Sequence, residues 1–81
     1  MNWIPVESSN IKEMAFEVGV GDVKNILSVN FTKTGIYHYL GVPEELFKRM
    51  LSAHSVGKFF SENIKNKFDY WKAAPDERFV P

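Results

Sequence analysis

The residues with the clearest chemical potential lie in the run Ser55-Val56-Gly57-Lys58. A serine in front of an apolar helical stripe is typical of a helix N-cap, and a helix N-terminus presents unpaired N–H groups and a positive dipole end to anions. Gly57 would permit close approach of a phosphate, and Lys58 adds a positive charge. The same residues also fit an ordinary cap in which Gly57 only allows helix packing. We favour this second interpretation, because capping serines are common.

Further basic side chains follow in the second half of the chain. Lys58, Lys65 and Lys72 recur at intervals of seven, so a helix that continued that far would place them on one face as a basic ridge for an RNA backbone, with Arg49 nearby. Glu62 lies four residues after Lys58 and three before Lys65, which is the spacing of intrahelical ion pairs. An ordinary solvated helix face is therefore the favoured interpretation of these lysines, and the RNA contact is the alternative.

Tyr37 and Tyr39 alternate along a predicted strand and so share one face of a sheet. Exposed, they could stack on RNA bases; buried, they belong to the core. A three-residue loop with Gly35 in the left-handed conformation would pair Phe31 with Tyr37 and Val29 with Tyr39, with both tyrosines on the core side. A four-residue loop would expose them. We favour the first register, because glycine is common at this bulge position.

Burial of the tyrosines would turn another set of residues toward the open face of the sheet. That face offers a contact to a protein partner or to a second copy of the chain, as the alternative to RNA. Its residues are Ile26, Ile36, His38 and Leu40.

Hydrophobic periodicity predicts the elements that position these residues. Alternation of apolar and polar residues predicts strands at 11–18 and 24–31, and the Tyr37–Tyr39 segment forms a third. Pro43 at a first-turn position begins a helix at about 43–53, and Ser55 begins a second that ends near Lys67. The predicted fold is α+β: an antiparallel three- or four-stranded meander followed by two short helices packed on one face.

The ends of the chain are assigned by composition. Val6 follows an apolar segment and is expected to add an edge strand, where the nearby Pro5 is tolerated. Residues 1–72 are predicted to form a single domain, since a chain of 81 residues has material for one core only. Residues 73–81 contain two prolines and three charges and are predicted to be a tail.

Composition restricts the classes of function. Ten basic and ten acidic residues give a net charge of zero, with an acidic first part (net −3 over 1–23) and a mildly basic later part (net +2 over 55–72). The chain contains no cysteine, no metal-ligand spacing and no nucleophile or phosphate-binding motif, so we expect a non-enzymatic domain without cofactor or metal. We also expect no membrane segment and a cytoplasmic location.

Several of these segments together carry a family resemblance. The chain resembles the KTSC domain, a small module named for its occurrence at the C-terminus of some lysyl-tRNA synthetases, over about residues 6–70. The matching pattern comprises Ser8-Ser9-x-Ile11, Phe16, Leu27-x-Val29-x-Phe31, Gly35, Tyr37-x-Tyr39, Val42-Pro43, Ala53-x-Ser55-x-Gly57-x-Phe59-Phe60 and Ile64.

The resemblance implies a small accessory module for which RNA binding is suggested by the synthetase context. Phe16 and Phe68 stand where that family commonly has tyrosine, and Ser61 where asparagine is common. These departures remove polar groups. On the resemblance, the expected RNA-contacting residues are Tyr37, Tyr39, Arg49, Ser55, Gly57, Lys58 and Lys65.

Overall fold

The computed structural model of the chain describes residues 2–73. One antiparallel sheet and two helices make up the described part. In chain order the elements are β1 (Ile4–Pro5), β2 (Ile11–Glu17), β3 (Ile26–Phe31), β4 (Gly35–Leu40), α1 (Glu44–Leu51), α2 (Val56–Asn63) and β5 (Asp69–Lys72). The strands lie side by side in the order β1-β2-β3-β4-β5, so the sheet is a meander interrupted by the helix pair.

The predicted α+β fold class is confirmed, and the number of strands is five. The N-terminal edge strand is Ile4–Pro5, and the backbone N–H of Val6 extends its pairing by donating to the carbonyl of Lys12 at 3.3 Å. The strand that sequence analysis did not assign is β5, which pairs with β4 after the chain has passed through both helices. Apart from Ala73, the predicted tail lies outside the described residues.

The register between β3 and β4 confirms the predicted face of the tyrosines and corrects their partners. Tyr37 lies opposite Val29 and Tyr39 opposite Leu27, whereas the prediction placed each tyrosine opposite the residue two positions later. Gly35, at φ +91°, is itself the partner of Phe31. A shift of two residues keeps every side chain on its face, so both tyrosines still point toward the helices.

The helices begin close to the predicted residues and are shorter. Pro43 is the N-cap of α1, and Glu44 and Glu45 in its first turn complement the positive end of the helix dipole. The second helix ends at Asn63, four residues before the predicted end. Asn66, at φ +64°, then takes the left-handed conformation that asparagine tolerates, and the chain turns into β5.

The core lies between the helices and one face of the sheet. Phe47 of α1 stacks on Phe16 with ring centroids 4.8 Å apart, and Phe60 of α2 packs edge-on against Phe31 at 5.2 Å. Burial of each large side chain contributes about 1.5 to 3 kcal/mol, so these contacts fix the helices over β2 to β4. On this side of the sheet, the side chains with no exposed surface are Met14, Leu27, Val29, Val42, Met50 and Ile64.

The opposite face of the sheet carries a transverse row of four residues. Ala15, Ser28, His38 and Trp71 are successive cross-strand partners on β2, β3, β4 and β5. The hydroxyl of Ser28 lies 2.7 Å from Nδ1 of His38, and Trp71 covers the imidazole at a centroid distance of 5.0 Å. This polar pair is buried in the middle of the face that the sequence predicted to be open.

Candidate nucleic-acid interface

A cleft of about 480 Å³ opens between α2 and the end of the sheet formed by β3, β4 and β5. We call it the aromatic cleft. Tyr37 and Tyr39 of β4 and Tyr70 of β5 lie along it, and Phe31 and Phe60 line it from β3 and α2. The remaining lining residues are Asn10, Ile11, Thr32, Lys33, Thr34, Gly57, Ser61, Lys65 and Asn66.

The rings of the aromatic cleft support one another. Tyr39 meets Phe60 edge-on at 5.3 Å, and on its other side Tyr70 stacks on it at 5.6 Å with an interplanar angle of 30°. Tyr37 packs edge-on against Phe31 at 5.6 Å. Such ring pairs contribute about 0.5 to 1.5 kcal/mol beyond the area they bury. The aromatic surface is therefore formed in advance of any ligand.

Exposure differs greatly among the three tyrosines. Tyr39 is 6% exposed, Tyr37 is half-buried, and Tyr70 is 56% exposed. Burial, followed by the electrostatic influence of Tyr37 and Tyr70, raises the pKa of Tyr39 from 10.0 to about 12. Tyr39 is thus a neutral phenol at physiological pH, and Tyr70 offers the widest aromatic surface.

The charges around the aromatic cleft have one sign. Among the described residues that line it, the charged ones are Lys33, from the β3–β4 turn, and Lys65, just after α2. Lys72 is close by, with its Nζ 5.9 Å from the centre of the Tyr37 ring. In a chain of zero net charge, a cleft lined by lysines and by no described acidic residue is a local electropositive feature.

The N-terminus of α2 borders a smaller hollow of about 330 Å³ beside the aromatic cleft. The Ser55 hydroxyl accepts a hydrogen bond from the backbone N–H of Lys58 at 3.2 Å and so caps the helix. A Cβ on Gly57 would lie 3.3 Å from the hydroxyl oxygen of Ser8, so glycine here admits the N-terminal loop that precedes β2. Ser55 and Gly57 therefore each have a structural role.

The predicted RNA-contacting residues fall into three groups. Tyr37, Tyr39, Gly57 and Lys65 are brought together in the aromatic cleft. Ser55 and Lys58 line the neighbouring hollow together with Gly57, which belongs to both. Arg49 lines neither the aromatic cleft nor the hollow; its guanidinium lies 5.7 Å from the centre of the Phe59 ring.

Among the cleft residues that were not predicted from the sequence, three matter most for the site. Tyr70 lies between the predicted end of α2 and the tail, Lys33 lies in the loop before Gly35, and Phe60 was named only as part of the family pattern. A signal for Tyr70 existed in Asp69-Tyr70-Trp71-Lys72, where aromatic residues of high strand propensity follow a turn.

The residues predicted for a protein contact lie on the face of the sheet away from the helices. Ile26, Ile36 and Leu40 are half-buried, and His38 is 7% exposed beneath Trp71. Trp71 on this face is a large apolar side chain that is 43% exposed. The buried His38 is therefore not accessible for direct contact in the described structure.

Comparison with known proteins identifies the family. The KTSC domain model matches residues 7–68, which is most of the chain. This chain belongs to the KTSC domain family. The crystal structure of a KTSC domain protein from Yersinia pestis superposes with a TM-score of 0.81 at 37% identity, covering 90% of this chain and 97% of that one.

Two further proteins are similar to this chain in sequence. A protein of Tsukamurella paurometabola is 36% identical over 64 residues, which is 79% of this chain and 90% of the relative. An uncharacterized protein of Stutzerimonas stutzeri is 27% identical over 73 residues, which is 89% of this chain and 97% of the relative.

The described residues show neither a cluster of metal ligands nor a helix that could span a membrane. Within residues 2–73, no group of three or more histidine, cysteine or acidic side chains is placed to hold a metal ion. Neither helix of this part of the chain is long and apolar enough to cross a bilayer.

Proposed function

We propose that this KTSC domain is a small accessory module that binds single-stranded RNA in the aromatic cleft. The observation that carries the proposal is the coincidence of preformed tyrosine rings with a lining whose described charges, Lys33 and Lys65, are all positive. Single-stranded RNA presents flat bases and a regular series of negative charges, and these two features match the cleft.

The energetic contributions follow from the two kinds of surface. Stacking of a base on an aromatic side chain contributes about 1 to 3 kcal/mol and tolerates any base, since every base has a π-face. Each phosphate that a lysine neutralises releases counterions, which makes binding dependent on salt. With Lys33 and Lys65 as the neutralising groups, binding should be modest in strength and weakly selective for sequence.

The aromatic cleft replaces the helix N-terminus as the centre of the proposed site. Ser55 accepts the N–H of Lys58 at the cap and lines only the neighbouring hollow. The hollow at this terminus adjoins the aromatic cleft through Gly57 and Ser61, which line both. We therefore assign Ser55 and Lys58 to the margin of the site, where an RNA backbone leaving the cleft would pass.

We propose a binding role for the domain, without catalysis. The most perturbed titratable group of the cleft, Tyr39, has its pKa raised to about 12, far from neutral pH. A general base works best when its pKa lies near the operating pH, so this shift is the opposite of what proton transfer would need. A neutral tyrosine suits stacking and hydrogen bonding.

A second candidate function is a protein contact through the face that carries Trp71. The supporting observation is that this large side chain is 43% exposed while it packs on His38, and exposed tryptophans are enriched in interface hot spots. Sedimentation of the wild type and of Trp71→Glu over a wide range of concentration tests self-association. Identical monomeric behaviour of both proteins would exclude self-association through this face.

The RNA proposal is tested with a fluorescent single-stranded RNA and anisotropy at several salt concentrations. One or two neutralised phosphates predict a slope of log K against log salt of about −0.7 to −1.4. Lys65→Ala should weaken binding and bring the slope closer to zero. Lys67→Ala is the matched control, because it removes the same charge two residues away and Lys67 does not line the cleft. Equal affinities of the two variants would contradict the proposal.

A further inference from the structure

The number of exposed ring faces limits how many bases the aromatic cleft can stack. Tyr39 is almost wholly buried, and the ammonium group of Lys72 lies over the ring of the half-buried Tyr37. One face of Tyr70 stacks on Tyr39. The Tyr70 ring also lies 6.0 Å from that of Tyr37, yet its side chain is 56% exposed, which makes Tyr70 the stacking surface that is left. A single stacking surface accommodates a single base.

The positive charges limit the length of backbone that the cleft can hold. Lys33 and Lys65 line it. Glu62 lies on α2 between Lys58 and Lys65 in the sequence, and Lys65 follows the end of this helix. The acidic side chain interrupts any continuous basic track along α2, so the electrostatic site holds one or two phosphates.

The size of the aromatic cleft agrees with both limits. Its volume of about 480 Å³ is within the range of roughly 300 to 1,000 Å³ that is typical of small-molecule sites. Proteins that track single strands without sequence preference use grooves for about 4 to 16 nucleotides per OB-fold domain. Asn10, Ser61 and Asn66 line the cleft and supply polar groups for the edge of a base.

We infer that the aromatic cleft is a site for one nucleotide, which stacks its base on Tyr70 and places its phosphate between Lys33 and Lys65. This inference rests on the proposed function and narrows it. One unpaired nucleotide satisfies the site, whether it belongs to an RNA strand or is a free nucleoside 5′-monophosphate. The affinity of the domain for a long strand therefore comes from the same contacts as its affinity for one nucleotide.

The test is an amide chemical-shift titration of ¹⁵N-labelled protein with uridine 5′-monophosphate, with uridine and with an oligouridylate. We expect the monophosphate to shift the amides around Lys33, Lys65 and Tyr70. Uridine should shift the same amides with about tenfold lower affinity, since it lacks the phosphate that both lysines contact. The oligouridylate should produce the same pattern of shifts.

Two variants on β5 separate the stacking surface from general damage to the sheet. Tyr70→Ala should abolish the shifts caused by the monophosphate. Trp71→Ala is the matched control, because it removes an exposed aromatic residue of the same strand that points to the other face, and it should bind like the wild type. If Tyr70→Ala does not fold, Tyr70→Leu removes the aromatic face and keeps an apolar contact with Tyr39.

The outcomes distinguish this inference from the RNA proposal. Cleft shifts with the oligouridylate, but none with high concentrations of the monophosphate, would overturn the one-nucleotide site and leave RNA binding intact. No shifts with either ligand would overturn both. Equal affinity per nucleotide for the monophosphate and the oligouridylate would support the one-nucleotide site, whereas markedly tighter binding of the oligouridylate would show contacts beyond one nucleotide, overturn the one-nucleotide site and leave RNA binding intact.

Discussion

Replacing Tyr39 by phenylalanine should reduce the loss of stability that the domain undergoes at alkaline pH. Burial and the neighbouring tyrosines raise the pKa of Tyr39 from 10.0 to about 12. The folded state therefore holds the phenolic proton more tightly than the unfolded state does. Stability from this group is complete below the unfolded pKa of 10.0 and is lost as the pH rises toward 12.

The magnitude follows from the difference between the two pKa values. A difference of two pKa units corresponds to roughly 2.7 kcal/mol in the free energy of unfolding. Solvent reaches the mouth of the aromatic cleft and screens part of this effect, so the expected loss is about 1 to 2 kcal/mol. Tyr39→Phe keeps the ring contacts with Phe60 and Tyr70 and has no proton to lose.

The assay is urea unfolding followed by circular dichroism at about pH 9 and about pH 11.5, on either side of the unfolded pKa. The wild type should lose about 1 to 2 kcal/mol more between these values than Tyr39→Phe does. Tyr37, Tyr70 and all lysines are present in both proteins, so the part of their titration that does not depend on Tyr39 cancels in the comparison. An equal loss in both proteins would refute the account of Tyr39 as a buried group.

Three further substitutions test the fold and the margin of the site. Asn25→Ala should cost about 1 to 3 kcal/mol in denaturant unfolding, because its side chain accepts the N–H of Gly19 at 2.7 Å and donates to the carbonyl of Val42 at 3.1 Å; an unchanged midpoint would contradict this. Gly19→Ala should cost about 2 kcal/mol or more, since its Cβ would lie 1.8 Å from the carbonyl oxygen of Val23, and wild-type stability would show that the loop yields freely. Ser55→Ala should cost about 1 kcal/mol as a lost cap without weakening RNA binding; a large loss of RNA affinity in the folded variant would return the site to the helix N-terminus.

The sequence contained enough information for the fold because its local patterns agree with one another. Met14 and Phe16 occupy alternate positions flanked by Glu13 and Glu17, Leu27 and Val29 alternate with polar residues, and turn residues separate the strands. Pro43 and Ser55 mark helix starts that the structure confirms to within one residue. Such signals are local, and local signals are what periodicity detects.

The register and the last strand depended on information that is not local. Two registers of β4 against β3 that differ by two residues place the same side chains on the same face. Alternation therefore predicted that Tyr37 and Tyr39 are buried, but it did not predict which residues of β3 they pair with. Strand β5 has only four residues, all exposed, and its aromatic residues Tyr70 and Trp71 point to opposite faces. It forms by pairing with β4 across two intervening helices, and no pattern within the four residues predicts that pairing.

The site predicted from the sequence was incomplete for the same reason. Tyr37, Tyr39 and Lys65 were found from their types and spacing, and the structure brings them together in the aromatic cleft. Its most exposed ring, Tyr70, reaches the cleft only through the long-range pairing of β5. Lys33 reaches it because the β3–β4 turn lies beside the segment that follows α2. A site assembled from three distant segments becomes visible when the sheet is complete.

The most direct measurement of the central claim is an amide chemical-shift map of the labelled domain with a short single-stranded RNA at low salt. We predict shifts that cluster at Lys33, Phe60, Lys65 and Tyr70 and that reverse when salt is raised, with smaller changes at Ser55 and Lys58. Shifts scattered over all lysines, or confined to the opposite face around His38 and Trp71, would contradict the assignment of RNA binding to the aromatic cleft.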